Sequence, residues 1–267
     1  MMKQDLYYSD IPPNRGVHMD FTNKVIIITG GSRGIGKETA LMFGRAQGIV
    51  NIFDINLTGA EKTSCDICSY GTKSHAYLTD VTRRESVRKN VKNVIDNYGR
   101  IDILVNCAGI VNTRPFTDIT DKDWDQVMNV NLRGVFYTCH EIFPIMIHQK
   151  YGKILNIASI AGKKGGGFFG NSIYGASKAG VIGLTKGLAR EGGPYGINVN
   201  AVCPGPTDTE MIKELKDDVR KKLLNNIPLK KFAKPTDIAN TVLFLTSEFA
   251  GHISGEITDV DGGAILD

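Results

Sequence analysis

Short apolar runs alternate with longer amphipathic stretches along almost the whole chain. The runs are KVIIIT (24–29), IVNIF (49–53), SHAYL (74–78), IDILVN (101–106), KILNIAS (153–159), INVNAV (197–202) and EITDV (256–260). They are largely continuous rather than alternating, which predicts strands covered on both faces. Between them the pattern predicts helices over 35–47, 82–98, 121–149, 173–191, 209–225 and 235–248. The helical period is clearest in 121–149, where Trp124, Val127, Met128, Val130, Leu132, Val135 and Phe136 recur near every 3.6 residues. Strands interleaved with helices imply parallel βαβ units. The expected architecture is one doubly wound α/β domain over 21–267, with a parallel seven-stranded sheet and helices on both faces. Residues 1–20 are polar, contain Pro12 and Pro13 and show no period, so a flexible N-terminal extension is expected there.

Of the 267 residues, 42% are hydrophobic and 22% charged, which excludes a disordered or collagen-like chain. No apolar run approaches the ~20 residues of a membrane span, and the N-terminus lacks the apolar core of a signal peptide. A membrane partner is therefore not expected. A net charge of +4 is too small to make nucleic acid the expected partner. The cysteines are Cys65, Cys68, Cys107, Cys139 and Cys203. An odd number in a chain this long fits a reducing cytoplasm better than a disulfide framework. Cys65 and Cys68 have no second ligand pair, and the five histidines show no metal-ligand spacing, so no metal site is expected.

TGGSRGIG occupies 29–36, between the first strand and the first helix. Glycines at Gly30, Gly34 and Gly36 permit a tight turn that lets the backbone approach a pyrophosphate. The helix then offers its unpaired N–H groups to that anion. Asp54 ends the second strand, 18 residues past Gly36. A carboxylate there accepts hydrogen bonds from ribose hydroxyls. It also repels a 2′-phosphate, by on the order of 4 kcal/mol per charge pair at ~4 Å and an effective dielectric of ~20. NAD is therefore expected as cofactor, with NADP disfavoured. Arg33 pulls the other way, because a guanidinium can hold a 2′-phosphate.

YGASK (174–178) places Tyr174 and Lys178 one helical turn apart on one face. A free phenol titrates near 10, and bringing it near 7 takes roughly 4 kcal/mol of preference for the phenolate. A neighbouring ammonium supplies part of that. Ser159 ends the fifth strand, on the side where strand carboxyl ends face the ligand crevice. Its hydroxyl can hydrogen-bond a substrate oxygen. Asn131 sits within an apolar helix face, where a buried amide requires partners, and it can hold a water that relays protons from Lys178.

TGGSRGIG, NCAG (106–109), Asn131, Ser159, YGASK, PGPTDT (204–209) and VDGG (260–263) together resemble the short-chain dehydrogenase/reductase family, in its compact single-domain branch, over about 21–267. The resemblance implies a Rossmann-like domain and hydride transfer between a nicotinamide dinucleotide and a secondary alcohol or ketone. It implies Tyr174 as general acid/base, Ser159 as orienter of the substrate oxygen, Lys178 as the residue tuning Tyr174 and binding the nicotinamide ribose, and Asn131 as holder of a relay water. It implies cofactor contacts from Gly30, Ser32, Arg33, Gly34, Ile35 and Gly36, and from Asp54. Asp80 and Val81 resemble the adenine contact. Asn106, Ala108 and Gly109 resemble the segment bordering the cofactor, and Pro204, Gly205, Thr207 and Thr209 the stretch flanking the nicotinamide. Cys107 departs from the family, which more often has a second Asn. Family members usually assemble as tetramers or dimers, so a homo-oligomer is expected.

Two substrate classes fit. One is a sugar, polyol or similar alcohol oxidised with NAD. The other is a 3-oxoacyl thioester reduced with NADPH. Asp54, and Tyr195 where acyl-carrier reductases usually have a basic residue, favour the first. A catalytically silent nucleotide-binding protein is the reading from another class, opposed by the complete Ser159–Tyr174–Lys178 set. Near the site, 207–227 is the expected capping stretch and Phe168–Phe169 a candidate apolar wall.

Overall fold

The computed structural model describes residues 19–167, 170–213 and 217–266. The extension up to residue 18, the Phe168–Phe169 wall, and Glu214 and Lys216 of the capping stretch lie outside these. Seven strands form one parallel sheet: β1 (Val25–Thr29), β2 (Ile49–Asp54), β3 (Ser74–Leu78), β4 (Ile103–Asn106), β5 (Gly152–Ile157), β6 (Ile197–Pro204) and β7 (Ile257–Val260). Their order is β3-β2-β1-β4-β5-β6-β7. This is the expected Rossmann-like α/β fold. The chain runs outward from β1 in one direction and then from β4 in the other, so the switch point lies between β1 and β4.

Alternate strand residues point to opposite faces, and both faces are apolar. In β1, Ile26 and Ile28 join a core with Phe21, Phe43, Ile52, Leu155 and Val242. Val25 and Ile27 join the other, with Phe53, Val91, Leu104, Ile142 and Val181. Helices α1 (Gly34–Arg45), α2 (Leu57–Cys68) and α10 (Pro235–Thr246) feed the first core. Helices α3 (Arg84–Tyr98), α5 (Gly134–Gln149) and α7 (Ser172–Gly192) feed the second.

The periodicity of the sequence predicts no helix where α2 lies. Its buried face is Ala60, Thr63, Ser64 and Ile67, small and half polar, and so leaves no apolar stripe in the sequence. Asn56 starts it by accepting from Gly59 N at 3.1 Å. The helix expected over 121–149 runs unbroken from Asp121 to Gln149, with a π-helical turn inside it. It comprises α4 (Asp121–Met128), a π-helical turn (Asn129–Arg133) and α5. α4 opens on a capping box between Thr120 and Asp123. The short α6 (Ile160–Lys164) follows β5, and α8 (Glu210–Lys213) and α9 (Asp217–Asn225) follow β6. Among the described residues no helix is long and apolar enough to cross a membrane, and no three His, Cys, Asp or Glu side chains gather as a metal cluster.

Candidate active site

At the switch point, β1 and β4 are tied together just where they end. The Thr29 hydroxyl oxygen accepts from Cys107 N at 3.0 Å and Ala108 N at 3.1 Å. Gly30 follows with φ of +72°, and a Cβ on it would stand 2.8 Å from both Ala108 Cα and Ala108 N. Only glycine fits a backbone that turns so close to another. The turn delivers the chain to α1, which has Arg33 at its N-cap with no side-chain cap and no acidic residue in its first turn. The first N–H groups of α1 therefore lack a side-chain acceptor, as an anion site requires. A Cβ on Gly34 would meet only Thr209 Cγ2, at 3.8 Å. A dinucleotide thus fits this cradle, with Gly30, Ser32, Gly34, Ile35 and Gly36 on one side and the 204–209 segment on the other.

Asp54 is buried at the end of β2. Its Oδ2 accepts from Ser32 N at 2.9 Å and its Oδ1 from Asn56 N at 2.8 Å. It anchors the glycine turn to β2. Asp80 accepts from Thr82 N at 2.9 Å, and Val81 is buried beside Gly134, whose added Cβ would stand 2.9 Å from Val81 Cγ2. Asn106 lies inside the sheet. It donates to Asn156 Oδ1 at 2.9 Å and accepts from the Thr138 hydroxyl at 2.6 Å, while Asn156 donates to the Thr185 hydroxyl at 2.9 Å. Gly205 N donates to Val260 O at 3.0 Å, and Thr207 bridges Ala233.

The four residues expected to act on the substrate come from β5, the π-turn and α7. Ser159 caps α6, accepting from Ala161 N at 3.1 Å. Its hydroxyl also favours the ionised form of the Tyr174 phenol. Asn131 is fully buried, and the π-turn aims its amide out of the helix. It accepts from Ile110 N at 2.8 Å and donates to Ile110 O at 2.9 Å and to the Ser177 hydroxyl at 3.1 Å. π-bulges of this kind recur at functional sites. Lys178 is 4% exposed. A Cβ on Gly109 would stand 3.4 Å from Asn131 Oδ1 and 3.5 Å from Lys178 Nζ, so those side chains converge on one point of the 106–109 segment.

The electrostatics differ from the expected pairing. Burial, opposed by the Ser159 hydroxyl, raises the Tyr174 phenol above its ordinary value near 10. Burial pushes the Lys178 ammonium down to about 8. Lys178 Nζ donates to Ile157 O at 2.7 Å rather than to the phenol. Cys107, at the family's second Asn position, is a half-buried thiol that burial pushes up to about 12. Sequence reading missed Thr29, the Ile157 carbonyl, and Asn171, which caps α7 by accepting from Tyr174 N at 3.1 Å. An Asn three residues before a helical Tyr is a readable N-cap signal; the other two contacts carry none.

A family described as Enoyl-(Acyl carrier protein) reductase matches residues 30–264. The 3-oxoacyl-[acyl-carrier-protein] reductase FabG of Thermotoga maritima is 39% identical over 248 residues, covering 93% of this chain and 100% of that protein. The (2S)-[(R)-hydroxy(phenyl)methyl]succinyl-CoA dehydrogenase subunit BbsD of Thauera aromatica is 39% identical over 251 residues, covering 93% of this chain and 99% of that one. The crystal structure of levodione reductase superposes with a TM-score of 0.86 at 31% identity, covering 91% of this chain and 98% of that one.

These relatives correct the expected preference for NAD. Repeated 3-oxoacyl-carrier reductases among them belong to the reductive class that pairs with NADPH. Asp54 is held by the backbone N–H groups of Ser32 and Asn56, and the cation able to meet a 2′-phosphate is Arg33. Arg33 is exposed and pairs with no carboxylate among the described residues. The motifs, the parallel sheet and the full-length matches agree, and the chain belongs to the short-chain dehydrogenase/reductase family, as an NAD(P)-dependent oxidoreductase of CH–OH and C=O groups.

Proposed function

We propose that the protein reduces a 3-oxoacyl thioester to the 3-hydroxyacyl thioester with NADPH. One observation carries this reading: full-length relatives from different organisms bear the names of a 3-oxoacyl-carrier-protein reductase and of a dehydrogenase of a hydroxylated acyl-CoA. Both names describe oxygen chemistry on an acyl thioester, and neither a sugar nor a polyol. They outweigh Asp54 and Tyr195, which favour a sugar or polyol.

The bound dinucleotide supplies the hydride. The side chains handle the oxygen and its proton. Ser159 donates to the ketone oxygen and orients it. Tyr174, whose phenol Ser159 influences, gives its phenolic proton to that oxygen as negative charge gathers there. Its raised pKa suits this direction, since it arrives protonated. Lys178, with a pKa near 8, returns the proton to the phenol, with Asn131 fixed beside it through Ile110. A homo-oligomer belongs to the same proposal, supported by the exposed aromatic faces of Trp124 and Phe136 on α4 and α5.

The test mixes the protein with NADPH and acetoacetyl-CoA and follows the absorbance of reduced nicotinamide. Turnover should exceed that with any sugar, polyol or simple ketone. Bound NADPH that no 3-oxoacyl thioester oxidises would overturn the reading.

A further inference from the structure

Asn171 has no part in the chemistry above, yet it stands where α7 meets the 107–115 segment. Its side chain works in two directions. Oδ1 accepts from Tyr174 N at 3.1 Å and closes the helix cap. Nδ2 donates to Asn112 Oδ1 at 2.7 Å and to Arg114 O at 3.0 Å. The backbone N–H of Asn171 donates to Asn112 O at 2.9 Å. Three hydrogen bonds therefore join the start of α7 to residues 112–114.

Asn112 is itself held. Its Nδ2 donates to Asp123 Oδ1 at 3.1 Å, and its Oδ1 accepts from Arg114 N at 3.0 Å. Asp123 is locked into the capping box of α4 and pairs with Arg114 at 3.2 Å. On the other side, Gly170 adopts φ of +93°, and a Cβ on it would overlap the Tyr174 ring. The residue before Asn171 thus seats the ring, while Asn171 itself grips the neighbouring segment.

A helix cap needs only an acceptor, and Asp or Ser serves as well as Asn. The amide adds donors, and both are spent on the segment that continues from Ala108 and Gly109. We propose that Asn171 is a positioning residue: bridged to Asn112, it fixes Tyr174 relative to the segment bordering the dinucleotide crevice. This rests on the reading of Tyr174 as the acid/base. Misplacement of a reacting group by about 1 Å costs on the order of a hundredfold in rate, so such a bridge has a use that capping alone does not.

Asn171→Asp and Asn171→Ser keep an acceptor for Tyr174 N and lose the amide donors, the shorter Ser hydroxyl being unable to span Asn112 and Arg114 while it caps. Asn112→Ala removes the Asn112 side-chain end of the bridge and with it the hold of Asp123 on residue 112. The expected result is kcat lowered about tenfold or more in all three, with KM for acetoacetyl-CoA little changed. Binding of NADPH and hydrogen-exchange protection of the Tyr174 amide should stay as in the wild type for Asn171→Asp and Asn171→Ser. Asn112→Ala combined with Asn171→Ser should lose less than the sum of the two, because both act on one bridge.

Near-normal kcat in Asn171→Asp and Asn171→Ser would overturn the proposal, leaving only a cap. Loss of amide protection alongside loss of rate would overturn it too, as would additive losses in the double variant. Tyr174→Phe separates the two levels. If it turns over normally, the acid/base reading fails and the positioning role with it. If it is inactive while the Asn171 variants are unimpaired, the positioning role alone fails.

Discussion

The ammonium of Lys178 donates to the carbonyl of Ile157 at 2.7 Å and lies 6.0 Å from the centroid of the Tyr174 ring. The last carbonyl of β5 takes the charge that the sequence spacing directs at the phenol. Burial dominates the result and brings this lysine from 10.5 to about 8.

That value sets a pH dependence. Below about 8 both folded and unfolded chains hold the proton, and the folded chain carries the full penalty of burying it. Between about 8 and 10.5 the unfolded chain holds a proton that the folded chain has released, so stability rises with pH. The urea-unfolding free energy of the wild type, minus that of Lys178→Met, should grow by about 2 kcal/mol from about pH 8 to about pH 10. A flat difference would show that burial has not lowered this lysine.

Gly30→Ala should be costly twice over. The residue sits at φ +72°, and its new methyl group would meet Ala108 backbone atoms at 2.8 Å. Gly99 has a similar φ of +69° with nothing near its Cβ position, so Gly99→Ala reports strain alone. We expect Gly99→Ala to lose about 1 kcal/mol and Gly30→Ala on the order of 3 kcal/mol in urea unfolding. Isothermal titration should show NADPH binding weakened only in Gly30→Ala. Equal effects of the two substitutions would mean that the β1–β4 contact is slack.

Asn106→Leu should leave Asn156 Oδ1 without its donor in the middle of the sheet. The expected loss is about 2–3 kcal/mol by urea unfolding. Thr185→Val removes the acceptor of the same Asn156 amide. The two substitutions share a partner, so the double variant should lose less than their sum. Full additivity would show that the buried amides do not act as one network.

The sheet was legible because its strands are written as apolar runs, and a parallel order follows from helices lying between them. α2 was not legible, because Thr63 and Ser64 bury small polar side chains against α1 and β2 where a period detector looks for aliphatic ones. The glycine turn, Ser159, Tyr174 and Lys178 stood out as motif positions with a physical use. Their partners did not. Thr29 Oγ1, Ile157 O and Asn112 act through contacts between residues distant in sequence, which no spacing encodes. Asp54 is legible as a carboxylate ending β2, but its hydrogen bonds to the amides of Ser32 and Asn56 come from turn geometry. Cofactor choice weighs it against Arg33, so a single charged residue is too little to decide it.

The π-turn at Asn129–Arg133 holds one residue more than an α-turn would. Removing any one residue there would leave a plausible, unbroken helix in a sequence alignment. It would also swing the following helix by about 100° about its axis, carrying Thr138 away from Asn106 and undoing the outward turn of Asn131. A length change invisible to composition would therefore unseat both the sheet's buried amides and the crevice at once, and this stretch should tolerate substitution far better than insertion or deletion.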